Sequence, residues 1–95
     1  MLKIEVENRV YEIIEENKNA FDKEEFINCY TDYFYDYDYI VGDIAYGKLR
    51  LKGFYDAKNK RVKSFNNYNN VKKYIQEDCA VECGYYILKK VDGKN

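Results

Sequence analysis

The spacing of apolar and polar positions changes period several times along the chain, and each change marks an element. Residues 2–6 alternate, with Leu2, Ile4 and Val6 on one side and charged residues on the other. Period two of this kind predicts a half-buried strand. Glu7-Asn8 suits a turn, and residues 10–14 read as the returning strand, although Ile13-Ile14 breaks the alternation. A terminal β-hairpin is expected.

The period then becomes helical. Asp22-Lys23-Glu24-Glu25 has the form of a capping box, in which Asp22 accepts orphan N–H groups and Glu25 reaches back. Phe26, Cys29, Tyr30, Tyr33 and Phe34 recur on one helical face, and Phe21 is placed to staple to it. The spacing predicts a helix over residues 23–34. Period two returns after it. Residues 39–44 and 48–55 read as a β-hairpin around Gly47, and Lys48-Leu49-Arg50-Leu51-Lys52 alternates without a fault. Residues 56–70 are polar and contain NNYNN, which predicts a loop with a short strand at 61–65. Asn70 is placed to cap a second helix carrying Val71, Tyr74, Ile75, Asp78 and Cys79, with Gly84 past its end. Residues 85–91 form the last strand, and Lys94-Asn95 a frayed end.

The predicted order is β-β-α-β-β-α-β in one domain, residues 1–95. Two helices cannot cover both faces of a parallel sheet. The expected class is α+β, with a mostly antiparallel or mixed sheet and both helices packed mainly on one face.

Composition narrows the chemistry. A chain of 95 residues supports a thin core, and 46% apolar content with a net charge of −1 is not a disordered composition. Without His there is no Ser-His-Asp triad, no Cys-His dyad and no His-containing zinc site. No apolar run is long enough to span a membrane, and the amino terminus has no apolar signal core. The expectation is a cytoplasmic protein with reduced cysteines and no membrane partner.

A longer motif overlies this pattern. Tyr37-Asp38-Tyr39-Ile40-Val41-Gly42-Asp43 continues through Ile44-Ala45-Tyr46-Gly47 into Lys48-Leu49-Arg50-Leu51-Lys52-Gly53-Phe54. Farther on, Cys79 and Cys83 precede the aromatic strand Gly84-Tyr85-Tyr86-Ile87-Leu88-Lys89. Together these segments resemble the YutD-like family of small bacterial proteins. Two departures stand out: Ile44 and Ala45 occupy positions where members often carry Trp and Gly, and some members run on past the last strand. The resemblance implies a small cytosolic α+β domain and brings no catalytic residues with it.

Charge is unevenly spread. Residues 1–47 balance at −8, residues 48–64 at +6 and residues 65–95 at +1. Period two places Lys48, Arg50 and Lys52 on one face of their strand and Leu49 and Leu51 on the other. In the facing strand, Tyr39, Val41 and Asp43 share the basic side. The candidate binding surface is this basic hairpin: Lys48, Arg50, Lys52, Lys58, Lys60 and Arg61, with Tyr39 and Tyr46. A Lys/Arg row beside Tyr can pair phosphates or an acidic protein patch. The same residues can equally be neutralised by the acidic half, for instance Asp43 with Lys48 or Arg50 across the strands.

Other clusters carry less. Cys79 and Cys83 share a helical face and form a weak candidate thiol pair or metal site, but Cys29 brings the thiols only to three and no His completes a zinc set. No metal or other cofactor is expected. Asp32, Asp36, Asp38 and Asp43 crowd one stretch without metal-loop spacing, and no glycine-rich phosphate loop is present. An enzyme is therefore the least supported class. The leading expectation is a non-catalytic interaction or regulatory module whose protein partner carries an acidic patch. The alternative is an RNA- or DNA-associated protein using the same hairpin.

Overall fold

The computed structural model describes residues 3–6, 8–45, 47–78 and 84–91. Leu2, Glu7, Tyr46, Cys79, Cys83 and the chain end at Lys94-Asn95 lie outside these residues. The amino-terminal alternation closes into a hairpin of β1 (Lys3–Val6) and β2 (Arg9–Asn17). Asn8 permits the reversal, because its φ of 69° lies in the left-handed region that Asn tolerates better than most residues. The break at Ile13-Ile14 is a bulge. Ile13 pairs with Leu88 and Glu15 with Ile87, which leaves Ile14 as the extra residue.

Strands β3 (Tyr39–Ala45), β4 (Lys48–Phe54) and β5 (Tyr85–Val91) complete a five-stranded antiparallel sheet in the order β1-β2-β5-β3-β4. The class is α+β, with the expected order of strands and helices. The last strand in sequence enters the middle of the sheet, so β1 and β4 are its edges.

Helix α1 (Lys23–Cys29) begins at the Asp22 cap its sequence indicates, with the Asp22 half of the expected capping box. The Asp22 carboxylate accepts from the Glu25 N–H at 3.2 Å, and the Phe21 ring packs on Phe26 with centroids 5.9 Å apart. It ends before the periodicity does. Tyr30 is extended, and the Thr31 Oγ1 accepts from the Tyr33 N–H, starting a separate 3-10 turn at Asp32–Phe34. The Thr hydroxyl offers the backbone a local bond that competes with continuing the helix. Cys29 is exposed rather than part of the apolar face.

Helix α2 (Val71–Asp78) also starts differently. It follows two 3-10 turns, Ser64–Asn66 and Tyr68–Asn70, and the first of them replaces the strand that the sequence predicts at 61–65. Asn70 lies inside the second turn, and its side-chain amide donates to the Ser64 carbonyl.

The helices do not share a face. Neighbouring strand residues point oppositely. Ile40 joins the cluster of Phe26, Tyr30 and Phe34 with Tyr11, Tyr86 and Leu88, whereas Val41 joins that of Val71, Phe54 and Ile87. α1 thus covers one face and α2 the other. The reason lies in the central strands: Ile40 to Asp43 and Tyr86 to Leu88 are buried without interruption, so both faces need a cover.

Candidate functional site

The register of β3 and β4 sets the candidate surface. Val41 stands opposite Lys52, Asp43 opposite Arg50 and Ala45 opposite Lys48, so the basic row lies on the α2 face as the alternation predicts. The row is not uniform along its length. Arg50 is committed to Asp43: its Nε donates to Oδ1 at 3.0 Å and its Nη2 to Oδ2 at 2.9 Å. Asp43 is 1% exposed, so this guanidinium compensates a buried charge. Reversing the charge at Arg50 would set two carboxylates together in the sheet.

Lys52 has a different setting. Its Nζ lies 5.2 Å from the centroid of Phe54, 5.7 Å from Tyr74 and 5.8 Å from Phe65, within cation–π range of all three rings. These residues line an open groove of about 430 Å3 between β4, α2 and the turn at Ser64–Asn66. Ser64, Asn70, Lys73 and Glu77 complete its wall. Phe65 remains 65% exposed, a large apolar ring beside the Lys52 ammonium in a groove that Lys73 also lines.

The remaining candidates sit elsewhere. Lys48 is exposed at the turn end of β4, roughly 20 Å along the strand from the other end. Lys58 and Lys60 are exposed on the loop that follows β4. The Asp38 carboxylate holds that loop, accepting from the Asp56 N–H at 2.8 Å and the Asn59 Nδ2 at 3.1 Å. Arg61 pairs with Asp36 at 3.0 Å, both well exposed, and its pKa is raised by Tyr55 and by Asp36. Tyr39 is stacked on Tyr68 with centroids 3.7 Å apart, and burial with Tyr68 raises its pKa. It is a packed ring, not an open platform. Asp36, Asp38 and Asp43 therefore have three separate structural roles rather than forming one acidic cluster. Among the described residues no group of His, Cys, Asp and Glu is arranged to hold a metal ion, and no helix is long and apolar enough to cross a membrane.

The structure thus brings Lys52 together with Phe65, Tyr74 and Lys73, which sequence reading did not select. Phe65 carried a signal, as a large apolar ring in a polar loop. Tyr74 and Lys73 carried none, because their nearness to β4 depends on where α2 docks.

Comparison with known proteins agrees with this architecture. A family model described as "Putative antitoxin YutD-like" matches residues 5–89. The chain is 39% identical over 86 residues to "Putative antitoxin YutD" of Bacillus subtilis (strain 168), covering 90% of this chain and 94% of that protein. It also superposes on the solution NMR structure of protein yutD from B. subtilis with a TM-score of 0.80 at 37% identity, covering 96% of this chain and 83% of that one. The long hairpin motif, the sheet order and a family match over nearly the whole length agree, and the chain belongs to the YutD-like family.

Proposed function

We propose that this protein is a non-catalytic regulator that acts in the cytoplasm by binding a partner protein through the basic hairpin where it meets α2. One observation carries the reading: an exposed Phe65 shares an open, aromatic-walled groove with Lys52 and Lys73. An exposed aromatic ring rimmed by charge is a common anchor in protein interfaces. The partner's matching patch is acidic and apolar. The matched family's description as an antitoxin supports a role directed at another protein. Nucleic acid is the weaker reading, because both guanidinium groups of the basic segment, Arg50 and Arg61, already face carboxylates.

The test is affinity capture from native lysate with and without nuclease, comparing wild type with Phe65→Ala/Lys73→Glu. Both side chains are exposed, so the variant should melt within a few degrees of wild type. We expect a saturable protein partner that survives nuclease and is lost with the double variant. Capture unaffected by the variant would place the site elsewhere, and capture abolished by nuclease would favour nucleic acid.

A further inference from the structure

The outer edge of β4 carries no neighbouring strand at Leu49 and Leu51, which are half-buried, whereas Gly53 is buried. Ile44 donates its N–H to the Gly84 carbonyl and Asp38 accepts from the Lys90 N–H, which turns the even-numbered residues of β3 toward β5 and the odd-numbered ones toward β4. By the alternation of an antiparallel ladder, the N–H and C=O groups of Leu49, Leu51 and Gly53 then point away from the sheet. Among the described residues they have no partner. The next outward residue, Tyr55, is already paired. Its N–H donates to the Asn66 carbonyl at 2.7 Å, and the Tyr68 N–H donates to its carbonyl at 2.9 Å, as a parallel bridge. The chain begins a sixth strand there and turns away.

We infer that β4 accepts an added strand from the partner protein, a segment of about five residues in which acidic and apolar side chains alternate. The inference rests on the reading of this protein as a partner-binding regulator. The side chains of β4 set the alternation. Lys48, Arg50 and Lys52 project to one face and Leu49 and Leu51 to the other, so a strand laid alongside needs acids on the α2 face and apolar groups on the α1 face. Self-pairing of two β4 edges would set one basic row beside another. Pairing with β1 of a second copy would bring Lys3 as well as Glu5 to the basic row, and it would form an open-ended contact. A partner strand meets neither obstacle.

The probe is a set of decapeptides selected by display on the full chain. We expect the selected peptides to alternate Asp or Glu with Val, Ile, Leu or Phe. Their binding should slow amide hydrogen exchange at Leu49 and Leu51 at least tenfold. Leu49→Pro should weaken binding at least tenfold, because it removes an outward N–H and no ladder bond; its melting temperature checks folding. Failure to select any peptide would overturn the proposal. So would selection without alternation, binding that leaves these amides unchanged, or concentration-dependent self-association in place of peptide binding. Loss of partner capture in Phe65→Ala/Lys73→Glu, with these two amides unaltered by the partner, would reject strand addition and keep the groove.

Discussion

Arg50 reads in the sequence as one cation of a row, yet its partner Asp43 is almost fully buried. Removing the guanidinium leaves that carboxylate uncompensated. Arg50→Ala is expected to cost about 2–3 kcal/mol, at the low end for a broken buried pair because Arg50 itself is 46% exposed. Asp43→Asn in the same background should recover much of the loss, since a neutral amide no longer needs the cation. Urea midpoints at constant m-value measure both, and an unchanged midpoint for Arg50→Ala would refute the account. Two buried tyrosines make a second contrast. The Tyr86 ring fills the space where a Cβ on Gly42 would stand, and its hydroxyl is buried with no partner among the described residues. The Tyr11 hydroxyl instead bonds that of Tyr30 at 2.9 Å. Tyr86→Phe should be neutral or stabilising by up to about 1 kcal/mol, whereas Tyr11→Phe should cost about 1 kcal/mol. Thermal unfolding of the two variants distinguishes them, and the reverse order would contradict these assignments.

Helix α2 has only eight residues and depends on the sheet for its stability. Part of the attachment is apolar, through Val71, Tyr74 and Ile75. The rest is a polar latch. Glu15 on β2 accepts from the Lys72 ammonium at 2.8 and 2.9 Å and from the Tyr85 hydroxyl at 2.5 Å. The Lys72 and Tyr85 hydrogen bonds lower the Glu15 pKa below its ordinary value of 4.5. A carboxyl whose folded pKa is depressed stabilises the fold above its unfolded pKa, and that stability is lost as pH falls through the folded value. The stability difference between wild type and Glu15→Gln should therefore be full at neutral pH and shrink below pH 4.5. It should stay below about 1 kcal/mol, because Lys72 is largely in solvent. Chemical denaturation across pH 2–7 tests this, and a difference that grew on acidification would refute the latch.

In the whole molecule, three ion pairs join a carboxylate of residues 1–47 to a base beyond them: Glu15 to Lys72, Asp36 to Arg61, Asp43 to Arg50. The asymmetry of the sequence is partly consumed by folding. What it leaves on the α2 face includes Lys52 and Lys73, which line one groove with an exposed Phe65, and Lys48, Lys58 and Lys60 are exposed at the ends of the hairpin. Features that depend on near neighbours or on period two are legible in the residues alone. These are the Asp22 cap, the Phe21 staple, the disturbance at Ile13-Ile14 and the two faces of the β3–β4 hairpin, while the register chose Arg50 over Lys48 as the residue opposite Asp43. Tertiary structure alone decided that β5 enters between β2 and β3, that the helices cover opposite faces, that β4 is an edge, and that Phe65 and Tyr74 meet Lys52. Local period fixes which side chains share a face of an element. Which elements then meet is set by burying both faces of the central strands, between residues far apart in the chain, and no local pattern encodes that pairing.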